Sequence, residues 1–89
     1  MSEKIKSIDN KELLLQLEQL AEQLGYGISY ADMPGKGGLV RLRGKGSFII
    51  NRSLATEEKI DVICENLRAL DLGNIYLLPA LRRRIYNEE

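Results

Sequence analysis

Leu39-Val-Arg-Leu-Arg43 and Ser47-Phe-Ile-Ile-Asn51 flank Gly44-Lys45-Gly46, and the reading of this stretch decides the fold of the 89-residue chain. Two runs of apolar and β-branched residues around a glycine-bearing tripeptide have the spacing of a β-hairpin, with glycine available for a left-handed turn position. Val40 and Leu42 alternate with Arg41 and Arg43. The alternation predicts that the two apolar residues face a core while the two arginines make the opposite sheet face basic.

Working outward, Asp32-Met-Pro-Gly-Lys-Gly-Gly38 is dense in turn formers and reads as a loop. Before it, Tyr26-Gly-Ile-Ser-Tyr30 has period two, a short strand with Tyr26, Ile28 and Tyr30 on one face. Leu13, Leu17, Leu20 and Leu24, with Leu14 and Ala21 beside them, form one apolar stripe at helical spacing. This predicts a helix over about residues 10–24, capped by Asp9 or Asn10 and stopped by Gly25. Leu15 falls off the stripe, either as the margin of a broad core face or as a contact for a partner.

After the hairpin, Thr56 has the chemistry of an N-cap, and Glu57 and Glu58 follow where the helix dipole favours negative charge. Ile60, Ile63, Leu67 and Leu70 predict the buried stripe of a second helix that Gly73 ends. Asn74-Ile-Tyr-Leu-Leu78 reads as an apolar connector, and Pro79 suits the first position of a last helical turn through Ala80–Tyr86. The order α-β-β-β-α-α predicts an α+β fold, a three-stranded antiparallel sheet covered on one face by two helices. Residues 1–8 and 87–89 are expected to be flexible ends of a single small domain spanning 1–89.

Composition bounds the chemistry. There is no histidine, so no Ser-His-Asp or Cys-His pair can form, and the commonest metal ligand is missing. The single cysteine, Cys64, cannot form an internal disulfide or a cysteine-based zinc knuckle. Thirteen basic residues balance thirteen acidic ones, so any attraction to nucleic acid or membrane must come from a local patch. Met1 to Ile8 lacks the apolar segment of a secretory signal, and no run approaches the ~20 apolar residues of a membrane span. A cytoplasmic protein with no cofactor, no metal and no membrane partner is expected.

Two groups of residues are candidates for function. Lys36, Arg41, Arg43 and Lys45 are placed by the hairpin reading on a shared basic face, with Arg82-Arg-Arg84 as a second basic run. Such patches contact phosphate backbones, although no aromatic residue sits among the strand arginines to stack on bases. The glycine-lysine segments do not match a phosphate loop, because Leu39 and Gly46 stand where its first glycine and its Ser/Thr belong. The second group is Cys64, Glu65 and Arg68, on the flank of the second helix beside its buried stripe. Read as ordinary helix residues, Glu65 and Arg68 make an i,i+3 ion pair and Cys64 is a small buried apolar group.

The stretch from Gly38 to Arg68, about a third of the chain, resembles the hairpin-plus-helix unit of the ImmA/IrrE-type zinc metallopeptidases. In that family a strand with an I-I-x-N-like end leads through a Ser/Leu-containing turn into a helix bearing H-E-x-x-H. On that pattern Cys64 takes the place of the first zinc-binding histidine, Glu65 that of the catalytic glutamate, and Arg68 that of the second histidine. Only the glutamate is kept. The resemblance therefore implies a metal-free relative, since a guanidinium is a permanent cation that repels Zn²⁺. The expectation is a non-enzymatic interaction or adaptor module, a catalytically dead metallopeptidase-like remnant whose partner is another protein. The alternative is a nucleic-acid-associated protein that uses the basic hairpin face.

Overall fold

The computed structural model describes residues 9–86, so the ends at 1–8 and 87–89, expected to be flexible, lie outside the described residues. The elements are α1 (Asn10–Gln23), β1 (Gly27–Ala31), β2 (Gly37–Leu42), β3 (Lys45–Asn51), α2 (Thr56–Arg68) and α3 (Pro79–Tyr86). The order is the one the sequence predicts. The sheet differs in one respect: its strand order is β1-β3-β2, with β3 antiparallel to β2 but parallel to β1.

The physical reason lies at the end of β3. The loop 32–36 joins the end of β1 to the start of β2, and it crosses the Asn51 end of the strand between them. Asn51 Nδ2 donates to the carbonyls of Met33 (3.0 Å) and Gly35 (2.7 Å), while its Oδ1 accepts from Ser53 N–H at 2.9 Å. Its own N–H bonds the Lys36 carbonyl at 3.0 Å. Arg52 adds an ion pair to Asp32 at 3.2 Å. One asparagine thus satisfies the polar backbone of the crossing, which a simple meander would not need.

Register decides which side chains enter the core. Ile28, Phe48 and Leu39 are Cα partners across the three strands, so they share a face. Phe48 and Ile50 are fully buried there, and Tyr26, Ile28, Tyr30 and Leu39 pack on the same core. Arg41 is the partner of Gly46, two residues from Phe48, and therefore belongs to this inner face. The expected assignment of β2 is reversed at these positions: Leu39 turns inward and Val40 is 38% exposed. The side chain of Leu42, expected to point inward with Val40, lies outside the described ones. The hairpin turn also shifts, to Arg43-Gly44, both at positive φ (56° and 81°), with Leu42 and Lys45 closing it. Positive φ at both central residues is the two-residue turn that matches strand twist.

α1 follows its sequence signals closely. Asp9 Oδ1 accepts from Glu12 N–H at 2.9 Å, and Leu13, Leu17, Leu20 and Ala21 are buried. Leu15 is 48% exposed, so it is not a margin of the core. α2 starts one residue earlier than a Thr56 cap implies: Ala55 is the cap, and its N–H donates to the Glu58 carboxylate at 3.0 Å. It ends at Arg68, with Ala69 as its C-cap, and not at Gly73. Leu70 consequently leaves the helical stripe and is only half-buried, while Leu72 and, from the connector, Leu77 enter the core. α1 and α2 lie on the sheet, and α3 packs against these two helices and not on the strands.

Two glycines are required by their surroundings. Gly37 has φ +99°, and a Cβ on it would run into the Ile49 backbone carbonyl. Gly46 lies beneath the Tyr26 ring, which meets Phe48 edge-on with centroids 5.9 Å apart. Gly37→Ala is expected to destabilise the protein by about 3 kcal/mol or more, because strain at positive φ adds to a backbone overlap. Gly46→Ala should cost about 1–3 kcal/mol, since a side chain can move where a carbonyl cannot. Urea midpoints measured on both variants check this order.

Candidate functional site

Helix α2 holds the three positions that the zinc-peptidase resemblance selects, and its surroundings decide what they can do. Asp61 and Arg68 both reach α3. Arg84 Nη2 meets Asp61 Oδ1 at 2.6 Å, and Arg68 Nε donates to the Ile85 carbonyl at 2.6 Å. The Arg84–Asp61 pair is partly exposed, so solvent screening limits it to about 0.5 kcal/mol. Its hydrogen bond to Asp61 raises the Arg84 pKa further above its ordinary value. Arg68 is thereby turned to α3 instead of pairing with Glu65, as the sequence spacing suggests.

Cys64 sits on the same helix between these two bridging residues and is fully buried, as expected for a small apolar group. Burial pushes its thiol up to about 11, the nearby Arg84 offsetting only part of that effect. The group is therefore a neutral thiol at physiological pH, neither a nucleophile nor a ready metal ligand. Glu65 is exposed. The three side chains thus have three destinations: Cys64 the interior, Glu65 solvent, Arg68 the carbonyl of α3. Among the described residues no three His, Cys, Asp or Glu side chains gather where they could hold one metal ion.

The basic residues are also separated. Arg41 is on the inner sheet face, where its Nη2 donates to the Tyr26 hydroxyl at 3.5 Å. Lys45 has the opposite parity from Gly46 and belongs to the outer face; Arg43 is in the turn. Lys36 precedes Gly37, at the other end of β2 from all three. The shared basic face expected from the sequence is not assembled. In the second basic run, Arg84 is committed to Asp61 and Arg82 lies over the Tyr86 ring, 5.7 Å from its centroid.

A site that the sequence reading did not single out lies between α1 and the segment leading into α3. Leu20, Leu77 and Leu81 floor a groove of about 310 Å³, rimmed by Gln16, Gln19, Gln23, Tyr76 and Leu78. Tyr76 is 80% exposed and Leu78 48%. Among the described residues, none that lines it is charged. Gln16 Nε2 donates to Glu12 Oε2 at 3.1 Å, which fixes the amide, and its Oε1 is left buried without a partner. The sequence signals for this site were the apolar connector 74–78 and the glutamines at positions 16, 19 and 23, beside the leucine stripe.

Comparison with protein-family models, with curated proteins and with solved structures finds no match to this chain. Among the described residues no helix is long and apolar enough to cross a membrane.

The buried thiol gives a pH dependence of definite sign. Its folded pKa of about 11 lies above the ordinary thiol value of 9.0, so between these values the folded state keeps a proton that the unfolded state releases. Stability should therefore fall as pH rises from about 9 to about 11. Tyr30 acts in the same direction at higher pH, its pKa raised by burial and by the hydrogen bond it donates to Glu18. Urea unfolding across this range is expected to show the decline, and a thiol reagent at pH 8 should label Cys64 only in the unfolded protein. Prompt labelling of the native protein would contradict the burial of the thiol.

Proposed function

We propose that this chain is a small non-enzymatic interaction module of the cytoplasm, built on a metallopeptidase-like scaffold without its zinc ligands. It docks another protein through the groove between α1 and residues 76–81. The observation that carries this reading is the uncharged groove itself, where exposed Tyr76 and Leu78 stand over a leucine floor. Aromatic and aliphatic side chains around a pocket are the usual energetic centre of a protein interface. The scattering of Cys64, Glu65 and Arg68 supports the absence of peptidase chemistry, because general-base action on a metal-bound water needs these positions to converge. The lone buried cysteine suits a reducing compartment.

The test uses tagged wild-type protein beside the double variant Tyr76→Ser/Leu78→Ser. The wild type should retain a partner through a high-salt wash, since apolar docking is little screened, and the variant should lose it while remaining folded. Neither the wild type nor Glu65→Gln should cleave peptides, and Glu65→Gln should change stability by no more than about 0.5 kcal/mol, the range of surface substitutions. Equal retention by wild type and groove variant overturns the docking site. Hydrolysis by the wild type that is lost in Glu65→Gln overturns the non-enzymatic reading.

A further inference from the structure

Resting on the docking reading above, we infer that the groove is conditional: residues 76–86 close onto α1 and α2 and open from them as one unit, and the docking site exists only while they are closed. The two walls of the groove have different origins. Gln16, Gln19, Leu20 and Gln23 stand on α1, whereas Tyr76, Leu77, Leu78 and Leu81 all belong to the segment 76–86. Opening therefore removes half of the lining and two of the three leucines of the floor.

What holds the segment is limited. Among the described residues no backbone–backbone hydrogen bond joins 76–86 to another element, whereas β1, β2 and the loop 32–36 are all tied to β3 in that way. Its main attachments are the buried side chains of Leu77, Leu81 and Ile85, the Arg84–Asp61 ion pair and the bond from Arg68 to the Ile85 carbonyl. α3 has eight residues, below the ~12–15 at which an isolated helix becomes even marginally stable in water. Released from α1 and α2 it unwinds, so loss of docking and loss of helix are one event. Gly73, Asn74 and Ile75 are exposed, while Leu72 just before them is buried and stays with the core. The hinge lies at these three residues. Opening there spares the sheet, because α3 packs on the two helices and not on the strands. Segments with few buried apolar contacts open at lower free energy than the whole fold. A partner that binds only the closed form draws the segment shut, and its apparent affinity scales with the closed fraction.

Native-state amide exchange of the full chain in low urea is the experiment. The amides of residues 82–85 should exchange through an opening with weak urea dependence, and those of β3 only through the strongly urea-dependent global one. The open form is the minor one, since Leu81 and Ile85 are buried, so prompt labelling of Cys64 is not expected from it. Ile50→Val truncates a buried side chain of β3, which stays folded in both forms. It should speed exchange in β3 roughly 2- to 10-fold and leave residues 82–85 unchanged. Ile85 lines no part of the groove, so Ile85→Ala alters closure without touching a docked partner. It should speed exchange of residues 82–85 by roughly 30-fold or more and weaken retention of the protein that the wild type captures, while β3 stays folded. If residues 82–85 follow β3 in urea dependence and in Ile50→Val, the separate opening is overturned. Equal retention by Ile85→Ala and wild type overturns the tie between closure and docking. If the Tyr76→Ser/Leu78→Ser variant also retains the captured protein as the wild type does, the docking reading fails, while the opening, read from exchange alone, stands.

Discussion

Enclosure of α2 on three sides is the constraint on which the rest of the structure depends. The helix has to serve as the inner wall of a three-stranded sheet and as the platform for α3, and its residues sort by angle to do both. Ile60, Ile63 and Leu67 enter the common core. Asn66, on another side, donates to the Val62 carbonyl at 2.8 Å and accepts from Leu39 N–H of β2 at 3.4 Å. Asp61 and Arg68, on a third, hold α3. A fully buried aliphatic side chain contributes about 1.5–3 kcal/mol, so the apolar contacts dominate and the polar ones fix orientation. Glu57, Glu58 and Glu65, on the side of the helix that also carries Asp61 and Arg68, stay exposed.

A helix used in this way has little surface left on which to build a reaction centre. Two bridges to α3 flank Cys64, and the same packing that excludes water from the thiol keeps it protonated. Arg68 could not be replaced by a metal-binding group without also releasing the Ile85 carbonyl. Of the three positions that the zinc-peptidase resemblance selects, Arg68 attaches a helix, Cys64 lies in the core and Glu65 faces solvent. This distribution supports the proposed reading of a binding module.

The legible parts of the fold were those governed by local chemistry. Asp9 caps α1 through its own side chain, the leucines at 13, 17 and 20 are buried by helical period, and Pro79 begins α3, all readable from neighbours in sequence. The misread parts depended on distant partners. Sequential strands usually lie side by side, and nothing local to β1 reveals that β3 will insert between it and β2; that outcome rests on Asn51 binding a loop sixteen and eighteen residues away. The faces of β2 were inverted for a related reason. Leu39-Val-Arg-Leu alternates acceptably in either register, and the observed one leaves Arg41 inward at the sheet end, where Tyr26 offers its hydroxyl. The groove's signals, an apolar connector and three glutamines beside a leucine stripe, acquire meaning only once the 76–81 segment lies beside α1.

The sheet edges narrow where a partner can attach. An exposed strand edge is a template for pairing with another chain, and proteins commonly blunt it with side chains. Along β1, Ala31 bonds through its carbonyl to Arg52 N–H on the β3 side, so by alternation Tyr30 turns its own carbonyl outward. There the Arg52 guanidinium covers it at 3.5 Å. Along β2 the outward N–H of Leu39 is covered by Asn66. Each edge is met by a polar side chain, on β1 close to its end, which interrupts the row of free backbone groups that an added strand would need. Strand addition is thus hindered at both ends of the sheet. The helical side, with a floor of leucines and a rim without charge, is where association costs the least desolvation of charged groups.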